Sequence, residues 1–110
     1  MTEAGFDAIA LALPGATKTI QWGDDRVYKV GGKMFAVLGP SGSCSFKASD
    51  IAFEMLTESG EAKPAPYMAR AKWVWFEDAG AVGDLAGYLQ TAHALTAAKL
   101  TKKARAEIGL

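Results

Sequence analysis

Apolar residues recur along the chain first at helical spacing and then with the two-residue period of strands. Phe6, Ile9, Ala10 and Leu13 form one stripe behind Thr2, a good capping residue, and Pro14-Gly15 stops the run. This pattern predicts an amphipathic first helix. Ala16 to Trp22 is β-branched and partly alternating up to Gly23-Asp24-Asp25, which predicts a strand able to pair with the one that follows. Trp22, the last large side chain before that turn, is expected to anchor it against the core.

Arg26 to Lys47 holds the densest strand signals. Val27-Tyr28-Lys29-Val30 and Lys33-Met34-Phe35-Ala36-Val37-Leu38 flank Gly31-Gly32, two residues that tolerate the positive φ of a primed hairpin turn. Gly39-Pro40-Ser41-Gly42-Ser43 punctuates the chain, and Cys44-Ser45-Phe46-Lys47 completes a three-stranded antiparallel meander. The hairpin turn sets Val30 opposite Lys33, Lys29 opposite Met34, Tyr28 opposite Phe35 and Val27 opposite Ala36. Period two then puts Arg26, Tyr28, Val30, Lys33, Phe35 and Val37 on one face, with Val27, Lys29, Met34, Ala36 and Leu38 on the other. The first face joins two rings to two bases, as a platform for stacked bases and phosphates does. The simpler reading buries Tyr28, Phe35 and Val37 while Arg26 and Lys33 reach out from the rim.

Ser49 caps a helix whose Ile51, Ala52, Met55 and Leu56 face inward and whose Asp50, Glu54 and Glu58 face solvent, ending at Ser59-Gly60. Two prolines make the start of Lys63 to Arg70 an extended linker, with Pro66 opening a short helical turn. Lys72 to Glu77 reads as a strand with Trp73 and Trp75 on one face, and Val74 and Phe76 on the other. Such a strand is covered on both faces or meets a partner. From Ala81 a long helix carries Val82, Leu85, Ala86, Leu89, Ala92, Leu95, Thr96 and Leu100 on its stripe, and Thr101 caps a last turn through Ile108. Together the elements predict an α+β fold, with residues 1–110 forming a single domain and an antiparallel β-sheet covered by helices.

Composition narrows the chemistry. Twelve Lys and Arg balance twelve Asp and Glu, so any attraction to nucleic acid must come from a local patch. The charges are segregated, with only bases from Arg26 to Lys47 and only acids from Asp50 to Glu61. The apolar runs are too short to cross a bilayer and no basic leader precedes an apolar core, which makes the cytoplasm the expected location and excludes a membrane partner. Cys44, the single cysteine, permits no internal disulfide or zinc cluster and reads as a packed thiol. His93 is the only histidine, with no acid between Leu85 and Lys103 to support it, and reads as a surface or half-buried side chain. Gly31-Gly32 joins strands and opens no helix, so it is not a phosphate-cradling loop. With no nucleophile beside a base, the expectation is no enzyme, no metal and no cofactor.

Leu13-Pro14-Gly15, Trp22-Gly23, Tyr28 to Ala36, Phe46-Lys47, Pro64-Ala65-Pro66-Tyr67-Met68, Lys72-Trp73-Val74 and Lys99 to Lys103 follow one another in an order that resembles the MmcQ/YjbR family of small bacterial proteins. The resemblance implies a fold similar to the bacterial frataxin (CyaY-like) architecture and a DNA-binding role of double-wing type. It brings no catalytic residues. Lys29 and Lys33, flanking the hairpin turn, suit a wing that touches phosphate, and Lys47, Arg70 and Lys72 extend that surface. Lys99, Lys102, Lys103 and Arg105 add a basic C-terminal end. The expected partner is DNA, bound weakly and in a salt-sensitive way. The alternative is a non-enzymatic protein-interaction or small-ligand-binding domain that uses the aromatic sheet of Tyr28, Phe35, Trp73 and Trp75.

Overall fold

A computed structural model describes residues 1–110 except Tyr67, so the tyrosine of the Pro-Tyr-Met turn lies outside the described residues. The elements run α1 (Glu3–Ala10), β1 (Ala16–Gln21), β2 (Asp25–Val30), β3 (Lys33–Leu38), β4 (Cys44–Lys47), α2 (Asp50–Glu58), β5 (Lys63–Pro64), β6 (Trp73–Phe76), α3 (Leu85–Ala97) and α4 (Lys102–Glu107). The strands form one six-stranded sheet in the order β1-β2-β3-β4-β6-β5, antiparallel throughout. The α+β architecture is as the sequence predicts, and β5 adds a short edge strand where an extended linker was expected.

Local chemistry sets the helix starts. The hydroxyls of Thr2, Ser49 and Thr101 accept the backbone N–H groups of Gly5, Ala52 and Ala104 at 3.0, 3.1 and 3.1 Å, as their positions in the sequence predict. Helix α3 starts later than expected. Ala79–Ala81 is a separate 3-10 turn, and the Asp84 carboxylate caps α3 by accepting from Gly87 N–H at 3.1 Å.

The hairpin departs from simple alternation. Val30 faces Lys33 and Lys29 faces Met34, but Tyr28 then faces Ala36, so a bulge leaves Phe35 as the extra residue of β3. The bulge re-aims everything beyond it. Ala36 and Leu38 join Tyr28 and Val30 in the core, while Val37 is half-buried opposite Val27 on the other face.

The core lies between the sheet and helices α1 and α3. Phe6 packs on Tyr28 with ring centroids 5.0 Å apart, and Phe46 stacks between Phe76 and Tyr88 at 5.8 and 5.5 Å. Tyr28 is fully buried, and its hydroxyl donates to Asp7 Oδ1 at 2.6 Å. His93 is more buried than the sequence suggests. Its Nε2–H donates to the Pro14 carbonyl at 2.7 Å and its ring meets Phe35 edge-on at 5.5 Å, tying α3 to the connection between α1 and β1. Cys44 is a packed thiol as expected, and burial pushes its pKa up to about 12.

Three large apolar residues expected inside lie outside, and Ala86 of the α3 stripe is exposed as well. Trp22 is 65% exposed in a left-handed conformation (φ 50°), in the short turn that joins the edge strand β1 to β2 beyond their last pair, Gln21–Asp25. Ile51 and Met55 are 80% and 55% exposed. Helix α2 flanks β5 and β6 at the sheet margin, so only Leu56 is buried, with Ala52 and Phe53 half-buried.

Candidate nucleic-acid interface

Antiparallel pairing gathers residues from distant parts of the sequence at the ends of the sheet. The Gly31-Gly32 turn, the start of β3, the end of β4, the start of β6 and the C-terminus of α3 meet at one end. The turn is pressed onto α3. A Cβ on Gly31 (φ +57°) would lie 2.6 Å from the Leu100 side chain, so glycine is required both for the conformation and for the close approach. On this end stand Lys33, Lys47, Arg70, Lys72, Lys99, Lys102 and Lys103. Asp50, opening α2, and Glu107, in α4, accompany them. The opposite end holds the Asp24-Asp25 turn and Glu77, Asp78 and Asp84. The neutral chain is therefore polarised along its strands.

Within the basic end is a cleft. Ala36–Phe46 is the last β3–β4 pair, beyond which β4 departs for α2 while β3 extends back to Lys33. The gap has a volume of about 300 Å³, with Met34, Met68, Trp73 and Leu95 as apolar walls and Lys33, Lys47 and Lys99 as its charges. Lys47 Nζ donates to the Ala71 carbonyl, which fixes its ammonium at the wall. Burial lowers the Lys47 pKa, and Lys99 and Lys72 push it further down against the opposing pull of Asp50. Lys72 sits in a left-handed conformation (φ 61°) with its ammonium 5.0 Å from the Phe53 ring centre. None of these lysines is in an ion pair among the described residues. The ion pairs there are Lys18–Glu3 at 2.6 Å, Lys18–Asp7 at 2.8 Å and Arg26–Glu3 at 3.0 Å, all over α1.

The predicted bases therefore divide. Lys33, Lys47 and Lys99 converge on the cleft, Lys72 adjoins Lys47, and Arg70 is exposed on the neighbouring 3-10 turn Ala69–Ala71. Lys102 and Lys103 are exposed in the first turn of α4. Arg105 turns inward, where its Nη2 donates to the Ala98 carbonyl at 3.4 Å and its Nε is buried without a partner. Lys29 is half-buried on the sheet face that the helices leave uncovered, between Thr17 and Met34.

The aromatic platform does not assemble. Tyr28 and Phe35 are fully buried in the core. Trp73 is 4% exposed and forms part of the cleft wall, whereas Trp75 is half-buried on the uncovered face with Lys63 Nζ 5.8 Å from its ring centre. Met34, Met68 and Leu95 were not singled out as cleft walls by sequence reasoning. Met34 stands in the Lys-Met-Phe run, Met68 in the Pro-Tyr-Met run and Leu95 on the last long helix stripe, three separate segments with no local sign that they meet.

The YjbR family model matches residues 11–95, which takes in the sheet, the cleft walls and most of α3. The chain belongs to the YjbR family. This YjbR chain also superposes on the crystal structure of the Deinococcus radiodurans protein DR2400, which carries a DUF419 domain, with a TM-score of 0.85. The two are 24% identical, and the match covers 99% of this chain and 88% of that one, which establishes a shared fold. No curated protein matches the chain. Among the described residues of this YjbR protein no cluster of His, Cys, Asp and Glu is arranged to hold a metal ion, and no helix is long and apolar enough to cross a membrane.

Proposed function

We propose that this YjbR-family protein is a non-enzymatic nucleic-acid-binding module that docks through the hairpin end of its sheet. One observation carries the reading: lysines from β3, β4 and the end of α3 converge on one surface, with Lys72 beside them, and none has an ion-pair partner among the described residues. Unpaired cations held close together repel one another, and a polyanion relieves that repulsion while releasing its own counterions. The hairpin tip and the α3–α4 junction, packed together and both basic, act as one contact point on the phosphate backbone, and Arg70 and Lys72 beside Ala71 act as the other. Lysines here supply point charges without base-specific geometry, so the binding is largely sequence-independent. The acidic opposite end orients the module and limits its affinity.

Fluorescence anisotropy against a labelled mixed-sequence duplex and a single strand tests the reading. Binding at low salt that weakens steeply toward physiological salt is expected, and Lys33→Glu with Lys99→Glu should weaken it by at least about tenfold. Absence of binding to either nucleic acid at low salt would sink the proposal.

A further inference from the structure

The cleft has properties that phosphate-backbone contact leaves unexplained. Its lining brings three lysines to one small volume with, among the described residues, neither an acid nor an arginine; the nearest acid, Asp50, lies in the adjoining gap that Lys47 and Lys99 also line. Backbone phosphates are monoanions that pass over a surface and need no cavity. Here the charges line an open cleft with apolar walls of Met34, Met68, Trp73 and Leu95. We infer that the cleft is a binding site for an organic phosphomonoester carrying a small apolar body, of about the size of one ring.

Three features select that class. A phosphomonoester carries about two negative charges near neutral pH, a closer match to three lysines than the single charge of a carboxylate. Lysine suits phosphate as a point-charge ligand, whereas planar carboxylates favour the arginine fork that the described lining lacks. The volume of about 300 Å³ is at the small end for ligand sites, which excludes a dinucleotide or a long acyl chain. Lys47 is already oriented by its bond to the Ala71 carbonyl, so little side-chain freedom is lost when the anion arrives. Lys33 and Lys99 are exposed at the rim and close on the phosphate from either side. The phosphate has two sources with the same chemistry, a free ester or the 5′-phosphorylated end of a nucleic-acid strand. The site stands whether or not the protein binds duplex.

Isothermal titration with phenyl phosphate at low salt tests the site. One-site saturable binding is expected, with benzoate and inorganic phosphate each at least about tenfold weaker, a difference of about 1.4 kcal/mol. Lys47→Met and Lys99→Met should each weaken phenyl phosphate at least about tenfold. Lys99 is exposed, so its variant decides the matter if Lys47→Met fails to fold. Phenyl phosphate binding no tighter than inorganic phosphate, or unchanged in folded Lys99→Met, would overturn the inference. A preference for a 5′-phosphorylated over a 5′-hydroxyl oligonucleotide assigns the strand end as the source, and equal binding of the two assigns the free ester. Phenyl phosphate binding without duplex binding would leave the site standing and remove the nucleic-acid reading, and the converse would do the reverse.

Discussion

Two groups of bases in this molecule look alike in sequence and differ in what they meet. Over α1, Lys18 reaches both Glu3 and Asp7, Arg26 reaches Glu3, and Tyr28 donates to Asp7. At the hairpin end Lys33, Lys47 and Lys99 share one cleft without an acid in its described lining. The first group is used up by the fold, because its charges are neutralised where they stand. The second adds little to stability, and its Lys47 is held with a lowered pKa. A zero net charge hides this division.

Leu100→Ala should break the comparison most severely. It removes the buried side chain on which the hairpin turn rests, and a loss of about 3 kcal/mol in urea unfolding is expected together with weakened nucleic-acid binding. Asp7→Ala acts on the paired group alone. It leaves the fully buried Tyr28 hydroxyl without its acceptor, which should cost about 2 kcal/mol at neutral pH, while Tyr28→Phe in the same background recovers part of the loss.

The same pairing fixes the acid response. Burial would raise the Asp7 pKa, but the hydrogen bonds from Lys18 and Tyr28 outweigh it and hold the carboxyl below its ordinary value. The Lys18 hydrogen bond also lowers Glu3. Since both folded pKa values lie below the unfolded ones, this stability is present above about pH 4 to 5 and is lost as pH falls through the folded values. Asp7→Asn should flatten the acid limb of the unfolding free energy against pH. The smallest effect belongs to the unpaired group: Lys33→Gln with Lys99→Gln should change stability by no more than about 0.5 kcal/mol, in the stabilising direction.

The elements were legible because their signals are local. Thr2, Ser49 and Thr101 cap where they were expected to, and Gly31-Gly32 makes the turn its neighbours imply. The bulge was not legible, since Phe35 and Ala36 are both apolar and satisfy either period. Trp22 misled because a large ring suggests burial, whereas it sits in the turn at the end of the edge hairpin, 65% exposed. The placement of β6 between β4 and β5 depends on long-range pairing that no short window contains. For the site, the bases were visible and their convergence was not. Lys33, Lys47 and Lys99 come from β3, β4 and the end of α3, and the cleft exists only because β4 is too short to follow β3 to its start. Whether a lysine is paired is likewise a property of the fold, which is why Lys18 and Lys33 could not be told apart beforehand.

If the unpaired lysines are the binding surface, duplex affinity depends on them and on salt together. The most direct test is the salt dependence of duplex affinity for the native protein and for the Lys33→Gln, Lys99→Gln variant. A linear fall of log K with log salt is expected, with a slope shallower by about two in the variant, one for each phosphate contact removed. An unchanged slope and affinity in the folded variant would contradict that dependence.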